Sequence, residues 1–375
     1  MTSDARLVIL QLAANRWWTG SADPVIQLSR ALRDRGHRVL LGVIPGGRFE
    51  EKARDAGIEP LAGLSLEAKL DPLGVIGDVR RIRRLVTRER VDVIHTHHSH
   101  DHWLGWLCRG PAALVRTFHN ERAVSTRWPS TALYRQSDAL IAVSAPVEAR
   151  CRGARLGTDR LVRVDGVVDV ARFMGTGGGE RIRKELGIGS GPLLGCVARL
   201  APHRGHEPLI RGFALVLAEY PDARLLLVGK GEMREPLEAF VGELGLAQQV
   251  LFAGYRDADL PDVLDALDAF VLMAAGSDDS CRAALEAMAA ARPVVGGRVG
   301  ALPEAVLHGT TGLLIDDDRP PSVAAALRVM IENPDRARAM GEAGRHRALH
   351  MFVPEGHAAK MEAIYRQAAA RRAPR

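Results

Sequence analysis

Ser280 opens the run SCRAALEAMAAARPVV, whose residue types suit an anion. Serine is a good N-cap, and the amides of Cys281, Arg282 and Ala283 would then lie at the positive end of a helix. Such an end suits a phosphate. A capped helix that binds nothing fits the same residues. The helix is alanine-rich and keeps one carboxylate, Glu286, and an acid on an apolar helix is costly unless something supplies it with donors. Upstream, CVARLAPHRGHEPLIRGF places Arg199 just past a strand end, Arg204 soon after it, and Gly205 at the start of the next helix. Two guanidinium groups leaving the edge of a parallel sheet can straddle a diphosphate through paired donors, and a pair of solvated arginines is the alternative. Together with the capped helix, the pair favours a diphosphate.

Groups like these need rigid strand ends behind them. Short apolar runs (LVILQL, RVLLGVI, DVIHTH, ALVRTFH, ALIAVS, RLVRV) alternate with amphipathic helical patterns through the first half. Continuous Val/Leu/Ile runs between helices are what a parallel sheet buried on both faces requires. After the glycine-rich stretch ARFMGTGGGERIRKELGIGSG, which is read as unable to hold a rigid element, the series restarts with LLGCVA, RLLLVG, VLFAG, AFVLMAA, PVVGG and GLLI. The expectation is an α/β chain of two doubly wound domains, 1–173 and 191–352, joined by a linker at 174–190. Ligands of such sheets bind outside the carboxyl ends of the strands, so the cleft between the domains is the expected active site. Residues 353–375 form a last helix with an apolar face of Ala359, Met361, Ile364, Tyr365 and Ala368, expected to pack back toward the first domain.

The 375 residues allow two domains with substantial cores, and four widely spaced cysteines indicate neither a zinc knuckle nor a disulfide framework. No signal segment or membrane-length apolar run is recognised, so the expectation is a cytoplasmic protein. The net charge of +6 suits anionic ligands and anionic membrane surfaces. HTHHSHDHW crowds His95, His97, His98, His100 and His102 at one strand end, and alternation puts His95 and His97 on one side, as a metal site could use.

The chain resembles the retaining glycosyltransferases of family 4, with the GT-B architecture of two Rossmann-like domains. The resemblance is carried by LLGCVARLAPHRG, LLLVGKGE, VLFAGYR and DDSCRAALEAMAAARPVVGGRVGALPEAVLHGTTGLLI in the second half. It is looser in TGSADPVIQLSRALRDRGHRV, VDVIHTHHSH, VRTFHN and DALIAVSAPV in the first. It implies transfer of a sugar from a nucleotide-diphosphate donor, UDP- or GDP-linked, to a glycan or lipid-linked glycan of a bacterial surface polysaccharide or lipopolysaccharide, with retention. Glu286 would accept hydrogen bonds from the donor ribose, and Asp278 would hold hydroxyls of the donor sugar. The family has glutamate where Asp278 stands, glycine where Asp279 stands and lysine where Arg204 stands. The shorter acid goes with either a different donor sugar or a shifted backbone. Asp169, in VDGVVD, aligns as a structural residue beside the hinge.

The resemblance also implies that Gly20 in WWTGSA lets backbone approach sugar and phosphate, and that His119 in TFHN lies beside the donor sugar. It places the base near Tyr255 and Arg256, the phosphates on Arg199, Arg204, Gly229, Ser280, Cys281 and Arg282, and implies no metal and no cofactor. Trp17 and Trp18 either line an acceptor pocket or plug the wall. His97 or His98 is preferred as an acceptor-side hydrogen-bonding group. Arg80, Arg81, Arg83, Arg84, Arg88 and Arg90 fall on one helix, read first as a solvated face and second as a face for an anionic membrane, the latter making the protein peripheral at the inner face; nucleic acid is not indicated. Domain closure would exclude water while the two arginines and the helix amides stabilise the leaving phosphate. The alternatives are a sugar-nucleotide epimerase or hydrolase on the same architecture, and a non-catalytic nucleotide-binding module.

Overall fold

The computed structural model describes residues 5–67, 72–157, 159–175 and 177–372. The chain divides into two compact units, one of residues 1–167, 277–279 and 354–375, the other of residues 168–276 and 280–353.

The first unit holds six parallel strands: β1 Val8–Ala13, β2 Arg38–Val43, β3 Val93–Thr96, β4 Ala113–Phe118, β5 Ala139–Ala142 and β6 Leu161–Arg163. Their order is β2-β1-β3-β4-β5-β6. β3, β4 and β5 are buried along their whole length because helices cover both faces, which is why they read as largely apolar runs, with His95, Thr96, Arg116 and Thr117 as buried exceptions. One face packs Ile9, Val93, Val115 and Ile141 against Ala358, Met361, Ile364, Tyr365 and Ala368 of the C-terminal helix Pro354–Arg372. Ala358, not Ala359, turns inward there, since Ala359 is exposed. The other face packs Leu10, Leu12, Ile94 and Leu114 against Ile82, Val86 and Leu104 of the helices Pro72–Arg88 and Ser99–Cys108.

The second unit repeats the plan with β7 Leu193–Val197, β8 Arg224–Val228, β9 Val250–Gly254, β10 Ala269–Leu272, β11 Val294–Gly297 and β12 Gly312–Ile315, ordered β12-β11-β10-β7-β8-β9 and all parallel. The stretch expected to be a linker, 174–190, is more ordered than its glycines imply. It carries the helix Gly179–Glu185, whose Ile182 enters the core. Arg183 ties it down through the Ala266 carbonyl and the Asp268 carboxylate. Asp169 caps the short helix Val170–Phe173 by accepting from the Arg172 amide, a structural role.

Candidate functional site

The first sheet reverses its strand order between β1 and β3, and ligands of open parallel sheets gather outside the carboxyl ends at such a point. Gly20 follows β1, His97 follows β3 and His119 follows β4. The segment 277–279 belongs to this unit. The Asp279 amide donates to the His119 carbonyl oxygen at 2.7 Å, and Asn120 Nδ2 donates to the Ser277 carbonyl oxygen at 2.8 Å. Asp278 is thereby set against His119, its Oδ2 lying 2.6 Å from Nδ1, with both residues buried. Gly20 makes room for this segment. A Cβ placed on it would lie 3.2 Å from the Asp278 Cβ, tighter than ordinary contact. The Asp279 carboxyl is raised to about 6 by burial and then by the neighbouring charges of Asp278 and Glu121.

The histidine cluster does not converge on one point. His95 Nε2 meets Thr117 Oγ1 at 2.7 Å, and His102 meets Thr96 and Ser137. His97 lies between Gln11, at 2.9 Å, and His119, at 3.0 Å. Burial holds all three rings well below the usual imidazole range. Among the described residues no group of three His, Cys, Asp or Glu side chains could hold a metal ion. His97 therefore does not stand ready for an acceptor as the sequence reading preferred, because both its nitrogens already have partners. Trp18 packs edge-on against Phe49, whereas Trp17 is exposed.

In the second sheet the order reverses between β7 and β10. Arg199 follows β7 and pairs with Glu232 at 2.9 Å, both side chains more than half exposed. Arg204 donates to the Ala275 carbonyl oxygen at 2.8 Å, in the loop that follows β10. Gly205 caps the helix His206–Leu217 with φ +74, where an added Cβ would overlap Met273. Burial and Arg204 lower the His206 ring to about 4. Gly229, just past β8, has φ +152, and a Cβ there would overlap the Ala198 carbonyl oxygen. These two glycines let the loop that carries both arginines lie close to Met273 after β10 and to the end of β8.

The helix Arg282–Ala289 begins one residue later than the sequence reading placed it. Its N-cap is Cys281 and not Ser280, and Cys281 adopts the left-handed conformation at φ 54, ψ 43. A left-handed conformation is unusual for cysteine, and no local sequence signal foretells it. The intrahelical bonds start with the Ala284 amide on the Cys281 carbonyl oxygen, so the Arg282 and Ala283 amides form the positive end. Ser280 is buried beside it. Glu286 is 4% exposed, with Oε1 3.5 Å from Arg282 Nε. Tyr255 is exposed and carries Lys230 Nζ 4.9 Å above its ring. Arg256 is not available beside it: its guanidinium binds Glu185, Asp259 and the Ala253 carbonyl oxygen.

A model of glycosyltransferase family 4 matches residues 19–172, and a model of glycosyl transferases group 1 matches residues 179–347. The GDP-mannose-dependent alpha-(1-6)-phosphatidylinositol monomannoside mannosyltransferase of Mycolicibacterium smegmatis is 33% identical over 261 residues, spanning 66% of this chain and 68% of that protein. The chain belongs to glycosyltransferase family 4. The D-inositol 3-phosphate glycosyltransferase of Corynebacterium urealyticum is 30% identical to this glycosyltransferase over 306 residues, covering 73% of this chain and 71% of the other. The Anabaena protein HepE, solved with UDP and glucose, superposes with a TM-score of 0.81 at 21% identity over 95% of this chain and 98% of its own. That likeness gives the glycosyltransferase its fold, GT-B with two Rossmann-like domains. Among the described residues no helix is long and apolar enough to cross a membrane.

Sequence reasoning missed Asn120, Lys230 and Gln11, and read Tyr365 only as a packing residue, whereas its hydroxyl meets Gln11 and His95. Gln11 had a signal: it is the single polar residue of β1, and it faces His95 in register across β3.

Proposed function

We propose that this glycosyltransferase transfers mannose from GDP-mannose to an inositol-containing or other lipid-linked glycan acceptor, with retention of anomeric configuration and without a metal ion. The observation that carries donor and acceptor is the 33% identity to the Mycolicibacterium mannosyltransferase. In the second unit, Arg199, Arg204 and the amides of Arg282 and Ala283 hold the diphosphate, Gly205 and Gly229 let the loops approach it, and Glu286 accepts from the ribose hydroxyls. Tyr255 offers a ring face to the base. In the first unit, the Asp278 and His119 pair holds hydroxyls of the sugar.

As the sugar leaves, charge grows on the phosphate oxygen, where cations and helix amides stabilise it more than in the ground state. The exposed pair of Arg199 with Glu232 is a weak competitor, since solvent screens it. No metal is needed for that charge, and attack comes from the face that the phosphate leaves. At the acceptor side, the helix Pro72–Arg88 displays Leu73 and Ile76 ahead of exposed Arg80, Arg84 and Arg88, a pattern that suits an anionic bilayer surface.

Calorimetry against GDP, UDP and ADP, with Arg199→Ala and Glu286→Ala, tests the donor site, and selective GDP binding lost in both variants is expected. Chelator-treated enzyme should then convert GDP-mannose only when phosphatidylinositol mannoside is present, giving an α-linked product by NMR coupling. Donor turnover without acceptor would favour the hydrolase, and nucleotide binding without turnover the non-catalytic module. Sedimentation with phosphatidylglycerol vesicles, but not with phosphatidylcholine vesicles, tests the membrane contact.

A further inference from the structure

Asp101 is wholly buried in the first turn of the helix Ser99–Cys108, and its two side-chain oxygens serve different parts of the chain. Oδ1 accepts from the amide of His98, the N-cap of that helix, at 2.8 Å, and Oδ2 accepts from the amide of Ala14, just past β1, at 2.9 Å. The first bond caps the helix, as an acid three residues past the cap commonly does. The second does nothing for the helix: it fixes the segment that runs on from β1 to Gly20. Arg116 of β4, also wholly buried, brings Nη1 to 3.7 Å from Oδ1 and supplies the opposite charge. Backbone amides only donate, so these two bonds run one way. One side chain thus ties together the ends of β1 and β3, between which the sheet order reverses.

What this tie holds in place is His98. The His95, His97 and His102 rings are buried, whereas the His98 side chain is 34% exposed. Its Nδ1 is buried, 3.5 Å from Asp101 Oδ2, which leaves Nε2 as the nitrogen that a ligand reaches. The ring stacks toward that of His119, with the planes 26° apart and the centroids 6.5 Å apart. His119 in turn meets Asp278. His98 therefore offers a hydrogen-bonding atom one ring away from the pair assigned to the donor sugar. A hydroxyl both donates and accepts, so Nε2 bonds one in either tautomer.

We infer that His98 binds a hydroxyl of the acceptor, on a sugar or inositol ring, beside the donor sugar, and that Asp101 is its positioning residue. Asp101 touches no substrate. It acts through the His98 amide, which sets where the ring leaves the sheet, and through the Ala14 amide, which holds the neighbouring segment against it. The inference rests on the assignment of His119 and Asp278 to the donor sugar.

The test is steady-state kinetics with GDP-mannose and phosphatidylinositol mannoside, beside calorimetry against GDP, for His98→Phe, His98→Gln, Asp101→Asn and the double variant of His98→Phe with Asp101→Asn. His98→Phe keeps a flat ring and removes Nε2, so kcat/KM for the acceptor should fall about tenfold. His98→Gln brings an amide group to the place of Nε2 and should stay within about threefold of wild type. Asp101→Asn leaves one oxygen for two amides and should also cost about tenfold in acceptor kcat/KM. GDP affinity should hold in every variant, because the diphosphate is held by the second unit. The double variant should match His98→Phe, since a positioning residue then has nothing left to position. If Asp101→Asn does not fold, Asp101→Glu takes its place, keeping the charge beside Arg116 and moving the carboxylate by one methylene. Losses that multiply in the double variant would make Asp101 a scaffold residue independent of His98 and overturn its positioning role. Wild-type acceptor kcat/KM in His98→Phe would overturn the binding role. Absence of transfer by the wild type would instead overturn the function on which the inference rests.

Discussion

Glu286 is the residue whose type is hardest to explain without a ligand. It lies in a helix that buries Ala284, Leu285, Ala287, Met288 and Ala289 around it. A donor that supplies hydrogen bonds to this acid binds more tightly for it, by about 1.5–3 kcal/mol where the acceptor is charged. Glu286→Ala should therefore weaken GDP binding by roughly 10- to 100-fold in calorimetry, with little loss of melting temperature. Asp279 supplies a different signature. Its carboxyl is raised to about 6 from 3.8, so the folded protein binds a proton more readily than the unfolded chain. Its contribution to stability is present at low pH and is lost as pH rises through about 6. Asp279→Asn should remove that loss, raising the melting midpoint at pH 8 on the order of 2 °C and by a smaller amount at pH 5, because the loss builds from 3.8 upward.

At the scale of elements, the two glycines beside the arginines have separate physical reasons to be glycine. Gly205 needs a positive φ and the absence of a Cβ against Met273, and Gly229 needs a positive φ and the absence of a Cβ against the Ala198 carbonyl. Gly229→Ala should cost about 2–4 kcal/mol, read as a lower urea midpoint with the slope unchanged. Strands were the most legible elements, because a parallel strand covered on both faces must be largely apolar, as LVILQL is apart from Gln11. The placement of Arg199 just past a strand end and of Glu286 as a buried acid in a helix was legible too, because strand ends and helix periodicity show in the pattern. The register of the helix after Ser280 was not. Serine is the better cap by propensity, but the loop delivers Cys281 in a left-handed conformation and the helix starts after it. The stretch 174–190 misled through its glycines, while Ile182 and Arg183 anchored a helix there. The hydrogen bonds of Tyr365 with Gln11 and His95 were invisible for another reason: they join residues far apart in the chain, which periodicity cannot connect.

At the scale of the whole molecule, the buried histidines set an acid limit. His95, His97 and His102 are held neutral, well below 6.5, by burial first and by neighbouring cations second. Their folded pKa values are depressed, so the stability they permit is present above 6.5 and is lost as pH falls below it. Each ring should cost about 1 kcal/mol one pH unit below its unfolded value. Melting followed by Trp103 and Trp106 fluorescence should show the first unit giving way earlier at pH 5.5 than at pH 7.5, against the opposite trend from Asp279. The division of the chain carries one more consequence. The first unit is assembled from three stretches, and the last of them, 354–375, supplies the helix that covers the inner face of its sheet. On the ribosome, strands β1 to β6 emerge first yet lack that helix until residues 354–372 have been made. The second unit, whose residues finish at 353, has its full set of strands sooner. Synthesis thus reverses the order of completion, and the nascent first half waits with an apolar sheet face open to chaperones.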